Sequence, residues 1–270
     1  MKTILITGST DGIGKSTAIK LAKQGHQVLV HGRDSQKLKQ TVSELKSLSN
    51  HDEIAGFLAD LTDFSAIEKM VSHISKEVQK LDVLINNAGV YHGGKENQSG
   101  LDRRFVVNYF APILLTERFK NLLCENEAPR VINLSSAAQA APEMLSMEAL
   151  NGLAILPDYE GYAQSKLALT MWSFAFAKKN PNIVTIAANP GSLLNTKMVQ
   201  KAFGHHRASA NKGADILCRL ALSEKHAQGS GKYFDNDLGS YNKAHQDVYD
   251  QKKVNDLMSE TKRILNGLTQ

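Results

Sequence analysis

The sequence predicts an α/β fold, a doubly wound and mainly parallel sheet of about seven strands covered by helices on both faces. Three observations carry that reading. Short β-branched runs alternate with longer helical stretches along the whole chain, the pattern of successive βαβ units. The first run leads directly into a glycine-rich turn, TGSTDGIG at residues 7–14, and then into a helix. No linker, low-complexity tract or internal repeat interrupts the alternation, so residues 1–270 are expected to form one domain.

The expected strands are Thr3–Thr7, Gln27–His31, Ile54–Leu58, Val83–Asn86, Arg130–Ser135 and Ile183–Ala188, with a seventh near Lys232–Phe234. Between them, helical patterns cover Lys15–Gln24, Ser35–Leu48, Phe64–Val78, Leu101–Cys124 and Tyr159–Lys178. Asp34 stands where its carboxylate can accept the free N–H groups of the second helix. Near the C-terminus, Val254, Leu257, Met258, Ile264, Leu265 and Leu268 recur at helical spacing and read as a helix packed on the core. Two connections exceed the usual length, residues 137–158 and 192–212. Loops of that kind near strand C-termini form ligand walls in doubly wound folds, so both are expected to border a substrate site. Within the first, Met144, Met147, Leu150 and Leu153 either line an apolar pocket or pack the segment onto the domain.

Composition narrows the class. Hydrophobic residues make up 42% and charged residues 22%, values ordinary for a soluble globular protein. Two cysteines, Cys124 and Cys218, are too few for a disulfide framework, which points to a reducing, cytoplasmic setting. No signal sequence is expected ahead of the first strand, and the apolar runs are too short for a membrane span. The net charge of +5 comes from 32 basic residues scattered among 27 acidic ones, a solvated surface rather than a nucleic-acid-binding patch. The neighbours His205 and His206 lack a third ligand nearby, and no metal site is expected.

The turn and one later pair point to chemistry. Gly8, Gly12 and Gly14 let the backbone turn tightly and approach a pyrophosphate, while the following helix offers free N–H groups and the positive end of its dipole. The segment GKS at 14–16 imitates a nucleoside-triphosphate loop, but Ser9 occupies the position where that loop needs glycine. Tyr162 and Lys166, in YAQSK, are four residues apart and share one face of a helix. A lysine beside a tyrosine favours the phenolate and lowers a pKa otherwise near 10, which suits proton transfer near neutrality.

Taken together these motifs resemble the short-chain dehydrogenase/reductase family, over about residues 3–235. TGSTDGIG matches its cofactor turn, NNAG at 86–89 the segment after a central strand, and PG at 190–191 the segment after the sixth. Asn108, the pair Ser135-Ser136 and YAQSK match its active-site pattern, and SGKYF with the long Ser-to-Tyr segment resembles the retinol-dehydrogenase-like branch. The resemblance implies a Rossmann-type domain in which Asn108, Ser136, Tyr162 and Lys166 are catalytic. Tyr162 would move the proton, Lys166 would lower its pKa and hold the nicotinamide ribose, Ser136 would polarise the substrate oxygen, and Asn108 would support a proton relay. Family alignment favours Ser136 over Ser135, whose side chain should point to the opposite face.

The same resemblance places a cofactor against Gly8, Ser9, Thr10, Gly12, Ile13 and Gly14, against Asp60 and Leu61, and against Asn87, Ala88 and Gly89. Tyr162, Lys166, Pro190, Gly191 and Thr196 complete the set. Thr196 falls one position later than the usual family threonine, whose place is taken by Asn195. At the end of the second strand an acidic residue would select NAD; here Gly32 stands in that place and Arg33 follows. A guanidinium binds a 2′-phosphate and stacks on adenine, so NADP(H) is expected over NAD(H).

The expected activity is hydride transfer between nicotinamide and a small to medium, moderately apolar carbonyl or alcohol. The alternative is an NADP(H)-binding regulatory or redox-sensing protein, which needs the glycines but not the acid/base pair. A homo-oligomer paired through the helices near 101–124 and 159–178 is a further expectation from the resemblance.

Overall fold

In the computed structural model, which describes residues 1–49, 51–94 and 99–268, strand register divides the core into two layers. Strands β1 (Thr3–Ile6), β2 (Gln27–Gly32), β3 (Ile54–Leu58), β4 (Val83–Asn86), β5 (Arg130–Leu134), β6 (Val184–Asn189), β7 (Lys232–Asp235) and β8 (Ser240–Asn242) form one sheet. Their order is β3-β2-β1-β4-β5-β6-β7-β8, so the winding reverses between β1 and β4. That reversal opens a crevice beyond the strand C-termini, where ligands of such folds bind.

Side chains alternate across each strand. Leu5, with its register partners Leu29 and Leu84, faces one layer, and Ile4 and Ile6, beside Val28, Val30, Val83 and Ile85, face the other. Helices α1 (Gly12–Lys23), α2 (Ser35–Ser49) and α9 (Ala210–Leu222) cover the second layer. The first is covered by α3 (Phe64–Glu77), α5 (Ala111–Cys124), α7 (Asp158–Lys179) and α10 (Gln251–Leu268). Val254, Leu257 and Ile264 of α10 are buried in that layer, as their spacing predicts. Thr261 of α10 bonds the Tyr109 hydroxyl at 2.6 Å, and the helix also packs on α7. It therefore occupies part of the surface through which the two long helices were expected to pair.

Three elements depart from the sequence reading. The sheet has eight strands rather than about seven, because the three-residue β8 pairs antiparallel with β7. Its sequence SYN carries no strand pattern; Tyr241 holds it by packing edge-on to Phe234 at 5.1 Å. Helix α1 begins at Gly12, not Lys15, because the Asp11 side chain caps it by accepting from Gly12 N. The helix expected over Leu101–Cys124 is broken into α4 (Arg103–Phe105), a π-turn over Val106–Phe110, and α5. Pro112 has no N–H to give the Asn108 carbonyl four residues back, and the ladder continues with Ala111 N–H donating to Val106 O.

The two long connections contain short helices. Residues 137–158 hold a 3₁₀ turn (Ala137–Ala140) and α6 (Met147–Leu150); residues 192–212 hold α8 (Lys197–Phe203). Leu150 is buried and Met147 packs on the core, whereas Met144 is 53% and Leu153 81% exposed, so only half of that apolar set serves packing.

Candidate active site

The glycine turn is built by close backbone approach. Gly8 and Gly12 have φ of +63° and +55°, in the left-handed region where a side chain is strained. A Cβ on Gly14 would overlap the Gly8 carbonyl oxygen, and one on Gly8 would lie 2.9 Å from Ala88 Cα. The NNAG segment is stitched to the turn: Asn87 Nδ2 donates to Thr7 O at 2.8 Å, and Ala88 N donates to Thr7 Oγ1 at 3.0 Å. Ser9 is fully buried, its hydroxyl donating to Ile6 O and accepting from His31 N.

His31, which the sequence did not single out, is 3% exposed beneath this turn. Its Nδ1 accepts from Gly8 N at 2.9 Å and its Nε2 donates to Ala59 O at 3.1 Å, so the ring is neutral with one fixed tautomer. Burial lowers its pKa to about 4. A histidine inside an apolar strand gives no local sign of this role.

At the end of β2, a Cβ on Gly32 would come within 2.5 Å of Thr10 Cγ2, so the place of an acidic side chain is filled by Thr10. Arg33 is exposed, and among the described residues no hydrogen bond or ion pair holds its guanidinium. Asp34 accepts from Lys37 N at 2.9 Å, the helix cap expected. Asp60 accepts from both Thr62 N and Thr62 Oγ1 and thereby closes the turn after β3, with Leu61 buried beside it.

Tyr162 and Lys166 lie on α7, with Lys166 Nζ 5.6 Å from the Tyr162 ring centroid. Lys166 is 4% exposed and its Nζ donates to Leu134 O at 2.7 Å. Burial pulls its pKa down to about 7. The Tyr162 phenol moves the opposite way from the sequence expectation: burial raises its pKa, the Ser136 hydroxyl draws it partly back, and Tyr91 adds to the rise. The physical reason is that desolvation disfavours both charged forms, while the ammonium is directed at a carbonyl rather than at the phenol oxygen.

The two serines part as alternation requires. Ser135 is buried away from the phenol, bonding Thr170 Oγ1 at 2.7 Å. Ser136 is half-buried on the Tyr162 side and accepts from Ala138 N at 3.2 Å. Asn108 sits in the π-turn, fully buried; its side chain accepts from Val90 N and donates to Val90 O and Ser165 Oγ. A Cβ on Gly89 would lie 3.3 Å from Asn108 Oδ1 and 3.6 Å from Lys166 Nζ, which puts these groups around one point.

After β6, Pro190 is followed by Gly191 at φ +119°, and Asp237 holds the next residue through Ser192 N and Oγ. Thr196 caps α8 by accepting from Val199 N, and its Cγ2 would lie 3.4 Å from a Cβ on Gly12. Asn195 turns away, accepting from Gln200 Nε2 at 3.3 Å. Lys197 of α8 pairs with Asp11 at 2.6 Å, so α8 lies across the mouth of the turn. The Tyr91 ring meets Tyr162 at a tilt and Phe203 of α8 edge-on, both centroids at 5.3 Å. His205 and His206 bond Phe203 O and Gln200 Nε2, respectively.

A glycine turn at the sheet's switch point, with a tyrosine and lysine on the helix after β5, defines a class. The sequence profile of the family described as short chain dehydrogenase matches residues 2–208, and the chain belongs to that family of oxidoreductases, whose members bind a nicotinamide cofactor. It is similar to its retinol-dehydrogenase-like members. Retinol dehydrogenase 12 of Mus musculus is 31% identical over 244 residues, 86% of this chain and 77% of the relative. Polyprenol dehydrogenase of Homo sapiens is 33% identical over 208 residues, 74% of this chain and 62% of the relative, so the match spans less than two thirds of that protein. A short chain dehydrogenase from Escherichia coli CFT073, solved with NADPH, shares the fold at TM-score 0.72 and 22% identity, covering 87% of this chain and 96% of the other.

The residues present fit a dinucleotide. Gly14 packs so closely on the Gly8 carbonyl and Asn87 Nδ2 that no side chain fits there, which keeps the turn tight as a cradle at the N-terminus of α1.

Proposed function

We propose that this protein is an NADP(H)-dependent oxidoreductase acting on a small to medium, moderately apolar carbonyl or alcohol, with residues 1–270 as one binding and catalytic domain. The observation that supports it best is the convergence of Tyr162, Ser136 and Lys166 beside the NNAG segment that packs on the tight glycine turn. The choice of NADP(H) rests on Arg33, exposed and without a partner among the described residues, and on Gly32, whose missing side chain leaves no carboxylate to repel a 2′-phosphate.

When bound, the nicotinamide supplies or receives the hydride. The chain's own part is to hold the substrate oxygen and move one proton. Ser136 orients the oxygen, and the Tyr162 hydroxyl gives its proton to that oxygen during reduction. The phenolate left behind is favoured only while Lys166 carries its charge. Near neutrality, with a pKa brought to about 7, Lys166 exchanges a proton readily. Asn108 supports the relay by fixing Val90 and, through Ser165 next to Lys166, the YAQSK turn of α7. The turn Gly8–Gly14, Asp60, Leu61, Asn87, Ala88, Gly89, Pro190, Gly191 and Thr196 form the cofactor wall in this reading.

Segments 137–158 and 192–212 supply the substrate walls, where the rings of Tyr91 and Phe203 beside Tyr162 suit an apolar substrate. Relatives named for retinol and polyprenol accord with that. The test is Tyr162→Phe: turnover of a carbonyl panel with NADPH falls by at least about 10²-fold while NADPH binding persists. Full turnover in the variant refutes the assignment.

A further inference from the structure

Arg104 is 1% exposed, among the largest fully buried side chains of the molecule. A guanidinium has five N–H donors, and here each finds an acceptor. Nε donates to Asp102 Oδ1 at 2.9 Å and Nη2 to Asp102 Oδ2 at 2.5 Å. The remaining three go to main-chain carbonyls: Nη2 to Leu156 at 2.8 Å, and Nη1 to Pro157 at 2.7 Å and Asp158 at 2.9 Å. Asp102 is 4% exposed and also caps α4 by accepting from Arg104 N.

Two glycines make room for this group. A Cβ on Gly93 would lie 2.8 Å from Arg104 Cζ, and one on Gly161 would overlap that atom outright. Neither glycine has a positive φ, so space rather than backbone conformation is what they supply. Gly161 immediately precedes Tyr162, and its N–H makes the first helical bond of α7, to the Pro157 carbonyl that Arg104 also engages. The guanidinium thus joins two pieces of the site, α4 just ahead of the π-turn carrying Asn108 and the start of the helix carrying Tyr162, with Gly93 of the segment after β4 packed against it.

Lys166 is held separately. One turn further along α7, its Nζ is tied to Leu134 O on β5. The tyrosine and the lysine therefore have different anchors, and the relation between them depends on both. An ion pair this deep is a poor way to add stability, since its desolvation offsets most of the attraction. What a planar five-donor fork does supply is fixed geometry.

We infer that Arg104 is a positioning residue for the acid/base centre, setting how far the Tyr162 end of α7 stands from Ser136 and from Lys166. The inference rests on the reading of Tyr162 as the proton donor. It predicts a specific split: losing the clamp lowers kcat and leaves the dinucleotide cradle, built on β1 and α1, unaffected.

The test compares Arg104→Met, Arg104→Lys and Gly161→Ala with the parent and with Tyr162→Phe. Readouts are kcat and KM for NADPH with an aldehyde or ketone from the panel, NADPH binding by fluorescence, and folded fraction by circular dichroism. Arg104→Met and Gly161→Ala are expected to lower kcat by about 10²-fold, the effect of roughly 1 Å of misplacement. NADPH binding should stay within about threefold. Arg104→Lys keeps the charge opposite Asp102 but not the fork, so it restores part of the loss. Should Arg104→Met fail to fold, the other two decide, because both retain the pairing charges. Parental kcat per folded molecule in either overturns the inference, even if melting temperature falls. If Tyr162→Phe itself turns over normally, the acid/base reading fails instead.

Discussion

Protonation of His31 offers a quantitative check on the packing beneath the cofactor turn. The ring accepts from Gly8 N and donates to Ala59 O, and burial lowers its pKa from 6.5 to about 4. The hydrogen bond to Ala59 and the charge of Asp60 pull the other way and are outweighed. Between those values the unfolded chain binds the proton and the folded one does not, so stability falls as pH falls. The loss begins as pH drops through 6.5 and is complete below about 4. Integrated from pH 7 to 4.5 it amounts to about 2 kcal/mol, and to about 3 kcal/mol in full. His31→Asn keeps an acceptor for Gly8 N–H and removes the titration. Urea unfolding of both proteins at pH 7 and 4.5 isolates this group, because every carboxylate is common to the two. The stability difference between them should change by about 2 kcal/mol in favour of the variant at the lower pH. A difference that stays constant across that range refutes the reasoning.

Further outcomes follow from the same geometry. Lys166→Met should abolish turnover and yet raise the melting temperature, because the fold holds a lysine with a pKa near 7 against 10.5 and carries that penalty at every pH below about 10. The penalty is fully present below pH 7 and disappears as pH rises through 10.5, so the gain should shrink in alkaline buffer; a lowered melting temperature at pH 7 contradicts it. Arg33→Ala should weaken NADPH binding by about 1.5–3 kcal/mol, roughly 10- to 150-fold, and weaken NADH binding much less, since NADH loses only the stacking on adenine, as read by side-by-side fluorescence titration. Gly32→Asp alone should impair both cofactors through the 2.5 Å approach to Thr10, and pairing it with Thr10→Gly should recover NADH binding alone. Gly14→Ala drives a methyl into the Gly8 carbonyl and should abolish cofactor binding; retained affinity in that variant excludes the cradle as the site.

Much of this arrangement was legible because it depends on neighbours in sequence. The glycines at 8, 12 and 14, the Asp34 cap and the four-residue spacing of Tyr162 and Lys166 are local features. That the two serines part follows from alternation, whereas the choice of Ser136 rested on the family resemblance; Ser136 lies toward Tyr162 and Ser135 bonds Thr170. The break in the helix around Asn108 has a local cause in Pro112, though helical periodicity alone conceals it. The eighth strand was illegible because three polar residues gain their place only from Phe234 and Tyr241 meeting across the hairpin.

The direction of the Tyr162 shift was misjudged for a different reason: spacing gives proximity, whereas desolvation and the carbonyl that captures Lys166 belong to the tertiary structure. Arg104 and His31 are the clearest cases. LDRRF and VLVHG carry no motif, and their partners lie up to 54 residues away in sequence. The sequence by itself determined the βαβ alternation, the tight glycine turn and the placing of Tyr162 and Lys166 on one helix face, because short-range backbone and helix geometry dictate them. Only the tertiary structure decided which charges are buried, what each is bonded to and where the C-terminal helix lies, because burial and long-range pairing exist only once distant segments have met.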